Sequence, residues 1–394
     1  MSNLKDCIIN LAILSKSYND IGKSKDTTYD NAVDKILKLL RRYVECDHPL
    51  DNCECKLLNP NNWFEKLFGI TEKVGSVDNW QSNKDKFKLE GNLLIAPNGE
   101  IFKVGEFKEI TLEDLNLEAK KKEGVTSEIK VEHYITQGVL DEHHKNPGAT
   151  FQAASQLNYL EFVNYTFCPE NGITIYQSDA TQGPNCALAC AAGTFIRNYF
   201  KNSPDKQLNM LDRVETIISN DTHKYFKVEN GYISSESIEK LELLNKYHLG
   251  SISDKDTIRN NILIGIHQNV GVCFKDRTFT PIPASEQVTV TQVYSSALSL
   301  GGYARPESEE WEPLGKLLLE ANYEGTLLAA IISGSETVIL TMVGAGVFDN
   351  PDEWIIDAIN RAIANIRKLK VKLTIKIAHF KGFYEDYRTN IPST

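Results

Sequence analysis

The clearest alternation of apolar and polar positions lies in roughly the last hundred residues of the chain. There the pattern predicts strands at 288–298, 338–343 and 371–379, with helices at 311–332 and 353–368 between them. Strands that alternate with helices form right-handed crossovers, which give a parallel sheet covered by helices on both faces. The sequence therefore predicts an α/β fold, a three-layer α/β/α arrangement with a mixed, mostly parallel sheet.

The residues before this region give weaker signals. Two β-type runs within 93–102 flank the sequence Pro-Asn-Gly, which predicts a hairpin. Residues 106–130 are strongly charged and predict a surface helix with a linker. A short apolar run at 149–155 is followed, after a polar loop, by a predicted helix at 184–200.

Two further regions complete the expected organisation. Apolar spacing typical of helices in the first part of the chain predicts a helical N-terminal extension over 1–88, followed by an α/β domain over 89–394. Within that domain, residues 201–285 are mixed, with helices expected near 207–218 and 235–247. We interpret 201–285 as an insertion.

The composition and net charge of the chain argue against some classes of function. The chain has 394 residues, 41% hydrophobic and 24% charged, with a formal net charge of -10. That charge argues against general binding to nucleic acid or to anionic membranes. No apolar run approaches the roughly eighteen residues of a membrane span, and the N-terminus lacks the pattern of a signal peptide. A cytoplasmic location is therefore expected.

Four residues near the N-terminus form a possible metal site. Cys46, His48, Cys53 and Cys55 lie within ten residues of one another and could bind zinc. Their spacing matches no standard zinc motif, and acidic neighbours favour a surface loop with free thiols. We predict no metal requirement elsewhere. The eight cysteines are too few for a disulfide scaffold and are expected to stay thiols.

Two glycine-containing loops precede predicted helices. Gly183 and Pro184 introduce one helix, and Gly344 and Gly346 follow the predicted strand at 338–343. Glycine lets backbone N–H groups approach an anion, and a helix N-terminus adds partial positive charge. Two such loops facing one crevice at the carboxyl ends of the strands could hold the two halves of a diphosphate.

Three stretches resemble the macrodomains that bind ADP-ribose. They are "FQAASQLN" at 151–158, "QGPNCALACAAG" at 182–193 and "VGAGVF" at 343–348. The sequence is most similar to a divergent branch of ADP-ribosyl hydrolases that includes relatives of poly(ADP-ribose) glycohydrolases and bacterial effectors that remove ADP-ribose from ubiquitin. The resemblance covers about residues 90–380 in order.

The resemblance implies a set of ligand contacts in these stretches. Asn158, or alternatively Gln156, would contact ribose, and Phe348 would either stack near ribose or adenine or be a core aromatic. Asn350 would contact ligand or cap the following helix. The full set from the three stretches and the residues beside them is Ser155, Gln156, Asn158, Thr181, Gln182, Gly183, Pro184, Asn185, Cys186, Gly344, Ala345, Gly346, Val347, Phe348 and Asn350.

The chain departs from the pattern of this family in ways that affect catalysis. Roughly twenty residues separate the first two stretches, so the first ribose-facing loop is enlarged. The paired glutamates of the glycohydrolases are absent, and Pro184 stands where the family has glycine. These differences leave the catalytic residues to be found from the chain itself.

Two acidic residues are catalytic candidates. Asp179 lies on the enlarged loop, where a carboxylate could orient water or stabilise an oxocarbenium-like state. Alternatively, it only accepts N–H bonds in its own turn. Glu324 falls on the apolar side of the helix predicted at 311–332, where a carboxylate must be bonded. It would anchor a neighbouring loop or take part in catalysis.

Three further residues have double interpretations. Tyr294 and Ser295 end a predicted strand on the ligand side and could contact ribose hydroxyls or complete strand bonding. Cys186 at a helix N-terminus could be the nucleophile of a cysteine hydrolase, although no histidine stands in a recognisable motif. The second thiol, Cys190, indicates that these cysteines serve as small apolar residues.

The sequence thus predicts hydrolysis of ADP-ribose from mono-ADP-ribosylated protein, with ADP-ribosylated ubiquitin as one candidate substrate. The alternatives are a non-catalytic reader of ADP-ribose and the cysteine hydrolase. No cofactor, nucleic acid or membrane partner is expected. The location would be the cytoplasm, or a host cytosol if the protein is a bacterial effector.

Overall fold

The computed structural model describes residues 62–73, 77–162 and 164–394. Its α-helices are α1 (Trp63–Phe68), α2 (Val77–Lys84), α3 (Leu112–Lys120), α4 (Val139–Lys145), α5 (Gln182–Ala189), α6 (Ala191–Phe195), α7 (Asp212–Ile217), α8 (Asn220–His223), α9 (Ile238–His248), α10 (Ile252–Asn260), α11 (Glu312–Ser333), α12 (Asp352–Arg367) and α13 (Glu385–Asn390). Its strands are β1 (Lys88–Glu90), β2 (Leu93–Ile95), β3 (Ile101–Lys103), β4 (Glu106–Thr111), β5 (Glu128–Thr136), β6 (Thr150–Ala154), β7 (Lys227–Glu229), β8 (Tyr232–Ser234), β9 (Leu263–Gly271), β10 (Thr289–Ser295), β11 (Thr337–Leu340) and β12 (Lys372–Phe380). The possible zinc ligands Cys46, His48, Cys53 and Cys55 lie outside the described residues.

A seven-stranded sheet forms the centre of the described part of the chain. Its strand order is β4-β9-β10-β6-β11-β12-β5. The two pairings at the β4 end are antiparallel, and the four from β10 to β5 are parallel. The predicted α/β fold with a mixed, mostly parallel sheet is confirmed.

Helices cover both faces of this sheet. On β10, Gln292 donates from Nε2 to the carbonyl of Cys186 in α5 at 2.7 Å. Ser295, an odd number of residues along the strand, points to the opposite face, and its Oγ lies 3.3 Å from Oγ1 of Thr326 in α11. The sheet is therefore the middle layer between α5 and α11.

The helix α11 is buried on almost all sides, and its sequence is mostly apolar, as a buried helix requires. Gly325 permits its close approach to the sheet, because a Cβ there would lie 2.7 Å from side-chain carbons of Ile264 on β9. The predicted hairpin is also present, with Ile95 of β2 paired to Ile101 of β3.

Three strands of the central sheet differ from the sequence expectations. The charged region 106–130 begins with β4, and only then comes the helix α3, capped by Thr111. The same charged region ends in the first residues of β5. Both β4 and β5 lie at the edges of the sheet. Edge strands carry charged side chains on their exposed positions, which hides their alternation. The third strand, β9, lies inside the expected insertion 201–285.

The helix expected at 184–200 is divided. It breaks at Cys190, whose φ of -114° and ψ of 54° end α5, and α6 then continues into a π-helical turn over Ile196–Lys201. That turn places the buried guanidinium of Arg197 3.8 Å from the ring centre of Tyr294. Arg197 also donates to the carbonyl of Tyr159 at 3.2 Å.

The short helices α1 and α2, assigned by the sequence to the N-terminal extension, belong to the same unit as the sheet. The ring of Phe68 in α1 lies 5.5 Å from that of Phe195 in α6. Among the described residues, no helix combines the length and the apolarity needed to cross a lipid bilayer.

Three buried histidines should make stability depend on pH. Burial lowers the pKa of His143 and His379 to about 4 and that of His267 to about 3. An unfolded imidazole protonates near pH 6.5, so the contribution of the neutral folded form is fully present above that pH and is lost as the pH falls toward 4. At pH 5 we expect His143 and His267 to contribute a loss of roughly 2 kcal/mol each.

Urea unfolding at pH 7.5 and pH 5 of wild type, His143→Gln and the exposed control His223→Gln measures this effect. We expect the free energy of unfolding to fall less between the two pH values in His143→Gln than in the other two proteins. An equal fall in all three would show that His143 protonates as easily in the folded protein as in the unfolded chain.

Candidate functional site

A cavity of about 810 Å³ opens at the carboxyl ends of the parallel strands β5, β6, β11 and β12. Its lining includes residues at or just after the end of each of these strands, among them Ser155 after β6 and Thr341 after β11. In open α/β sheets this edge is where ligands bind. The volume is in the range of small-molecule sites.

The first glycine loop is attached to the end of β6 by a single side chain. Gln182 accepts from the backbone N–H of Ala154 at 2.8 Å and donates to the carbonyl of Gln152 at 2.7 Å. The amide thus continues the ladder of the strand and fixes the first turn of α5 at the cavity. Pro184 lies in this first turn. Proline has no backbone N–H, but the N–H groups of a first turn have no partner within the helix, so no helical hydrogen bond is lost.

The second glycine loop connects β11 to α12. Gly344 and Gly346 have φ values of 97° and 63°, which favour glycine. Asn350 donates from Nδ2 to the carbonyls of Leu298 at 2.7 Å and Gly344 at 3.0 Å. The residue at the N-cap of α12 is Pro351. Asn350 is therefore a buried brace of the loop rather than a helix cap.

Aromatic side chains line the cavity in two groups, which we call its first and second aromatic ends. At one end the ring of Tyr232 lies 5.0 Å from that of Tyr303 and 6.5 Å from that of Phe348. At the other end are Phe380, Tyr384 and Tyr387, whose hydroxyl donates to Asp352 at 2.8 Å. Flat apolar surfaces with a few polar groups suit a nucleoside or a sugar.

A relay of two histidines supports the second aromatic end. The backbone N–H of Tyr384 donates to Nδ1 of His379 at 3.1 Å. Nε2 of His379 lies 2.8 Å from Nδ1 of His133, whose Nε2 lies 2.7 Å from the carbonyl of Ile391. For each contact to be a hydrogen bond, both neutral rings must carry their proton on Nε2. The relay fixes Tyr384 at the cavity wall.

Two carboxyl groups lie at the first aromatic end. Asp179 is half-buried, lines the cavity and accepts from the backbone N–H of Thr181 at 2.7 Å. Asp179 thus bonds within its own turn and also lines the cavity, and its catalytic role stays a prediction. Glu161 lines the same end. The pKa of its carboxyl is raised well above its usual range, first by burial and then by Asp179.

The sequence interpretation did not single out Glu161. Its carboxyl group lies against Gly183, where an added Cβ would fall 2.2–2.4 Å from its carbon and oxygens. The available signal was its position as the first acidic residue after the "SQLN" stretch. Its neighbour Phe162 is fixed by Gln156, which accepts from the Phe162 N–H and donates to the Phe162 carbonyl, each at 2.8 Å.

The enlarged loop that carries Asp179 is held from two sides. Arg277 donates to the carbonyls of Asp179 at 3.0 Å and Gln177 at 2.7 Å. From the N-terminal side, the buried Glu72 accepts from the backbone N–H groups of Ile173, at 2.8 Å, and Thr174. The loop is therefore a fixed part of the cavity wall.

Some predicted site residues lie outside the cavity lining. Asn158 is buried, donating to Gln207 at 2.7 Å, so its amide is already used by the protein. Tyr294 and Ser295 are buried between the layers. The predicted ligand contacts that do line the cavity are Ser155, Gln156, Thr181, Gln182, Gly183, Asn185, Gly344, Ala345, Gly346, Val347 and Phe348.

Glu324 also lies away from the cavity, in a buried polar network. Its carboxylate accepts from Asn116 at 3.1 Å, Arg259 at 3.2 Å and Asn365 at 3.0 Å. These partners belong to α3, α10 and α12, so Glu324 joins three helices to α11. Glu324 therefore anchors helices rather than the neighbouring loop expected from the sequence, and this geometry gives no support to a catalytic role.

Cys186 lacks the properties of a nucleophile. Its thiol is fully buried, and burial, followed by the nearby carboxyl group of Glu161, raises its pKa far above the usual range. A nucleophilic cysteine needs an accessible thiolate. Within the described ranges, no group of three or more histidine, cysteine or acidic side chains could hold a metal ion.

No family model and no curated protein matches the chain. Among solved structures it is similar to poly(ADP-ribose) glycohydrolases. The enzyme from Deinococcus radiodurans in complex with ADP-ribose is 12% identical, with a TM-score of 0.42 over 73% of this chain and 94% of that one. The enzyme from Thermomonospora curvata bound to the inhibitor ADP-HPD is 12% identical, with a TM-score of 0.39 over 79% and 96%. At TM-scores below 0.5, this similarity alone establishes no function for the chain.

Replacing Glu72 should release the enlarged loop. Glu72→Ala leaves two backbone N–H groups and the hydroxyl of Tyr199 without their buried acceptor, so we expect a loss of about 2–5 kcal/mol in the free energy of unfolding. Amide hydrogen exchange at Ile173 and Thr174 should become much faster, while Glu100→Ala, at an exposed position, should change neither quantity. Unchanged protection of both amides would mean that Glu72 does not hold the loop.

Replacing Gly346 should separate an effect of charge from one of backbone strain. A Cβ at Gly346 would meet nothing within 4 Å, so a glutamate there projects a carboxylate at the loop without a clash. If the loop binds a phosphate, Gly346→Glu should weaken ADP-ribose binding at least about 100-fold, because like charges at short range repel. Gly346→Ala carries the same positive φ and should bind within a few-fold of wild type. Calorimetric titration of wild type and both variants with ADP-ribose measures these affinities. Equal affinities for all three proteins would show that the loop is not part of the binding site.

Proposed function

We propose that the protein hydrolyses the bond between ADP-ribose and a mono-ADP-ribosylated protein. One observation carries the proposal: a single cavity joins two glycine loops to an aromatic end that bears the carboxyl groups of Asp179 and Glu161. The loops suit a diphosphate, and carboxyl groups are the residues that cleave glycosidic bonds.

The strand order β6-β11-β12 puts the first glycine loop, the second glycine loop and the aromatic residues after β12 in sequence along the edge of the sheet, and we assign the groups of ADP-ribose to them in that order. Adenosine would bind among Phe380, Tyr384 and Tyr387, with the diphosphate between the loops at 182–185 and 344–348. The distal ribose then faces Tyr232 and Asp179. Backbone N–H groups would contact the phosphates, which suits a cavity with few cationic side chains.

In this arrangement Asp179 acts at the anomeric carbon of the distal ribose. Cleavage passes through an oxocarbenium-like state, and a carboxylate beside it stabilises the positive charge and orients the attacking water. The bond from the Thr181 N–H fixes the orientation of the Asp179 carboxylate, while the bonds from Arg277 hold the loop beneath it.

A reader of ADP-ribose is the second candidate, because the same loops serve binding without cleavage. The position of Asp179 in the cavity favours the hydrolase. The resemblance of the sequence to effectors that act on ubiquitin makes ADP-ribosylated ubiquitin one of two substrates to test. The other is an unrelated ADP-ribosylated protein.

The test combines calorimetric titration with ADP-ribose and a release assay on both substrates. Asp179→Asn keeps an oxygen for the Thr181 N–H but lacks the charge, so we expect binding within about threefold of wild type and release slowed at least about 100-fold. The exposed control Asp205→Asn should behave as wild type. Binding without release by wild type would favour the reader, and absence of binding would overturn the proposal.

A further inference from the structure

Glu161 occupies a position that sequence similarity did not indicate. Its carboxyl group lies at the same end of the cavity as Asp179, directly over Gly183 in the first turn of α5. Any side chain at Gly183 would displace this carboxyl, because an added Cβ would lie 2.2–2.4 Å from its atoms. Glycine at 183 is therefore required for the position of Glu161 as well as for the approach of a ligand.

The backbone at Glu161 is held on both sides. Its own N–H donates to the hydroxyl of Tyr176 at 2.9 Å. The next residue, Phe162, is fixed by the paired bonds of Gln156 and accepts from the hydroxyl of Tyr232 at 2.8 Å. Such support is what a group that must meet a reacting atom requires.

The charges around Glu161 favour its neutral form. Burial, followed by the carboxylate of Asp179, raises the pKa of Glu161, and only the guanidinium of Arg197 opposes them. Arg197 is itself occupied, donating to Tyr159 at 3.2 Å and Thr194 at 2.9 Å and lying over the ring of Tyr294. Two carboxyl groups at one site with different environments divide the roles of acid and base.

We propose that Glu161 is the catalytic acid that protonates the leaving group, with Asp179 as the base that activates water. This role rests on the proposed hydrolysis of ADP-ribosylated protein. The bond between the anomeric carbon and the linking atom of the protein breaks, and its electron pair goes to the linking atom, which takes the proton of Glu161. Water attacks the anomeric carbon and gives a proton to Asp179. Exchange with solvent returns one proton from Asp179 to Glu161, leaving free protein and ADP-ribose.

Two substrates with different leaving groups test this role. Glu161→Gln keeps the shape of the side chain but cannot supply a proton. We expect it to cleave ADP-ribose from a serine-linked peptide at least about 100-fold more slowly than wild type. A 4-nitrophenyl ADP-ribose conjugate should lose no more than about fivefold, because its phenolate departs without protonation. Asp179→Asn should slow both substrates, and the exposed control Glu286→Gln neither.

The dependence on pH gives an independent readout. The turnover of the serine-linked peptide by wild type should fall on the alkaline side as Glu161 loses its proton, and this limb should be missing from the residual activity of Glu161→Gln.

The outcomes separate this role from the proposed function. If wild type binds ADP-ribose and cleaves both substrates but Glu161→Gln retains full activity, or loses both substrates equally, the acid role is overturned and the hydrolase stands. If wild type cleaves neither substrate, the proposed function is overturned and the role of Glu161 with it.

Discussion

The two hydrogen bonds between Gln182 and the end of β6 are the constraint on which the candidate site depends. They place the first turn of α5 at the carboxyl edge of the sheet, where Gly183 can lie against Glu161. Two further loops complete the cavity wall. The brace of Asn350 holds the second glycine loop, which lines the same cavity as the first, and the enlarged loop adds Asp179 to the cavity wall.

The polar groups that hold this end are paired, and Glu72 is buried, which makes the loop rigid at a cost in desolvation. Burial raises the pKa of Glu72, yet its carboxyl satisfies two backbone N–H groups that would otherwise be unpaired. Arg277 does the same for carbonyls on the other side of the loop. A loop pinned in this way can present Asp179 without the entropy of ordering it when a ligand binds.

How much the sequence predicts depends on whether a signal is local. The helix α11 and its neighbouring strands were predicted because the spacing of their apolar positions is clear within each segment. The strand β9 was missed because His267 and Gln268 look polar, although His267 is buried against the carbonyl of Val104. The burial of Glu324 followed from helical periodicity, whereas its partners come from three distant helices. Glu161 was missed because its neighbours are also distant in the sequence. Its carboxyl group lies against Gly183, which belongs to α5.

The most direct test is the structure of the protein with ADP-ribose bound. The account predicts the diphosphate between the loops at 182–185 and 344–348, adenine beside Tyr384, and the anomeric carbon of the distal ribose facing Asp179 and Glu161. A ligand bound in the opposite direction, with adenine beside Asp179, or a ligand outside the cavity, would contradict it.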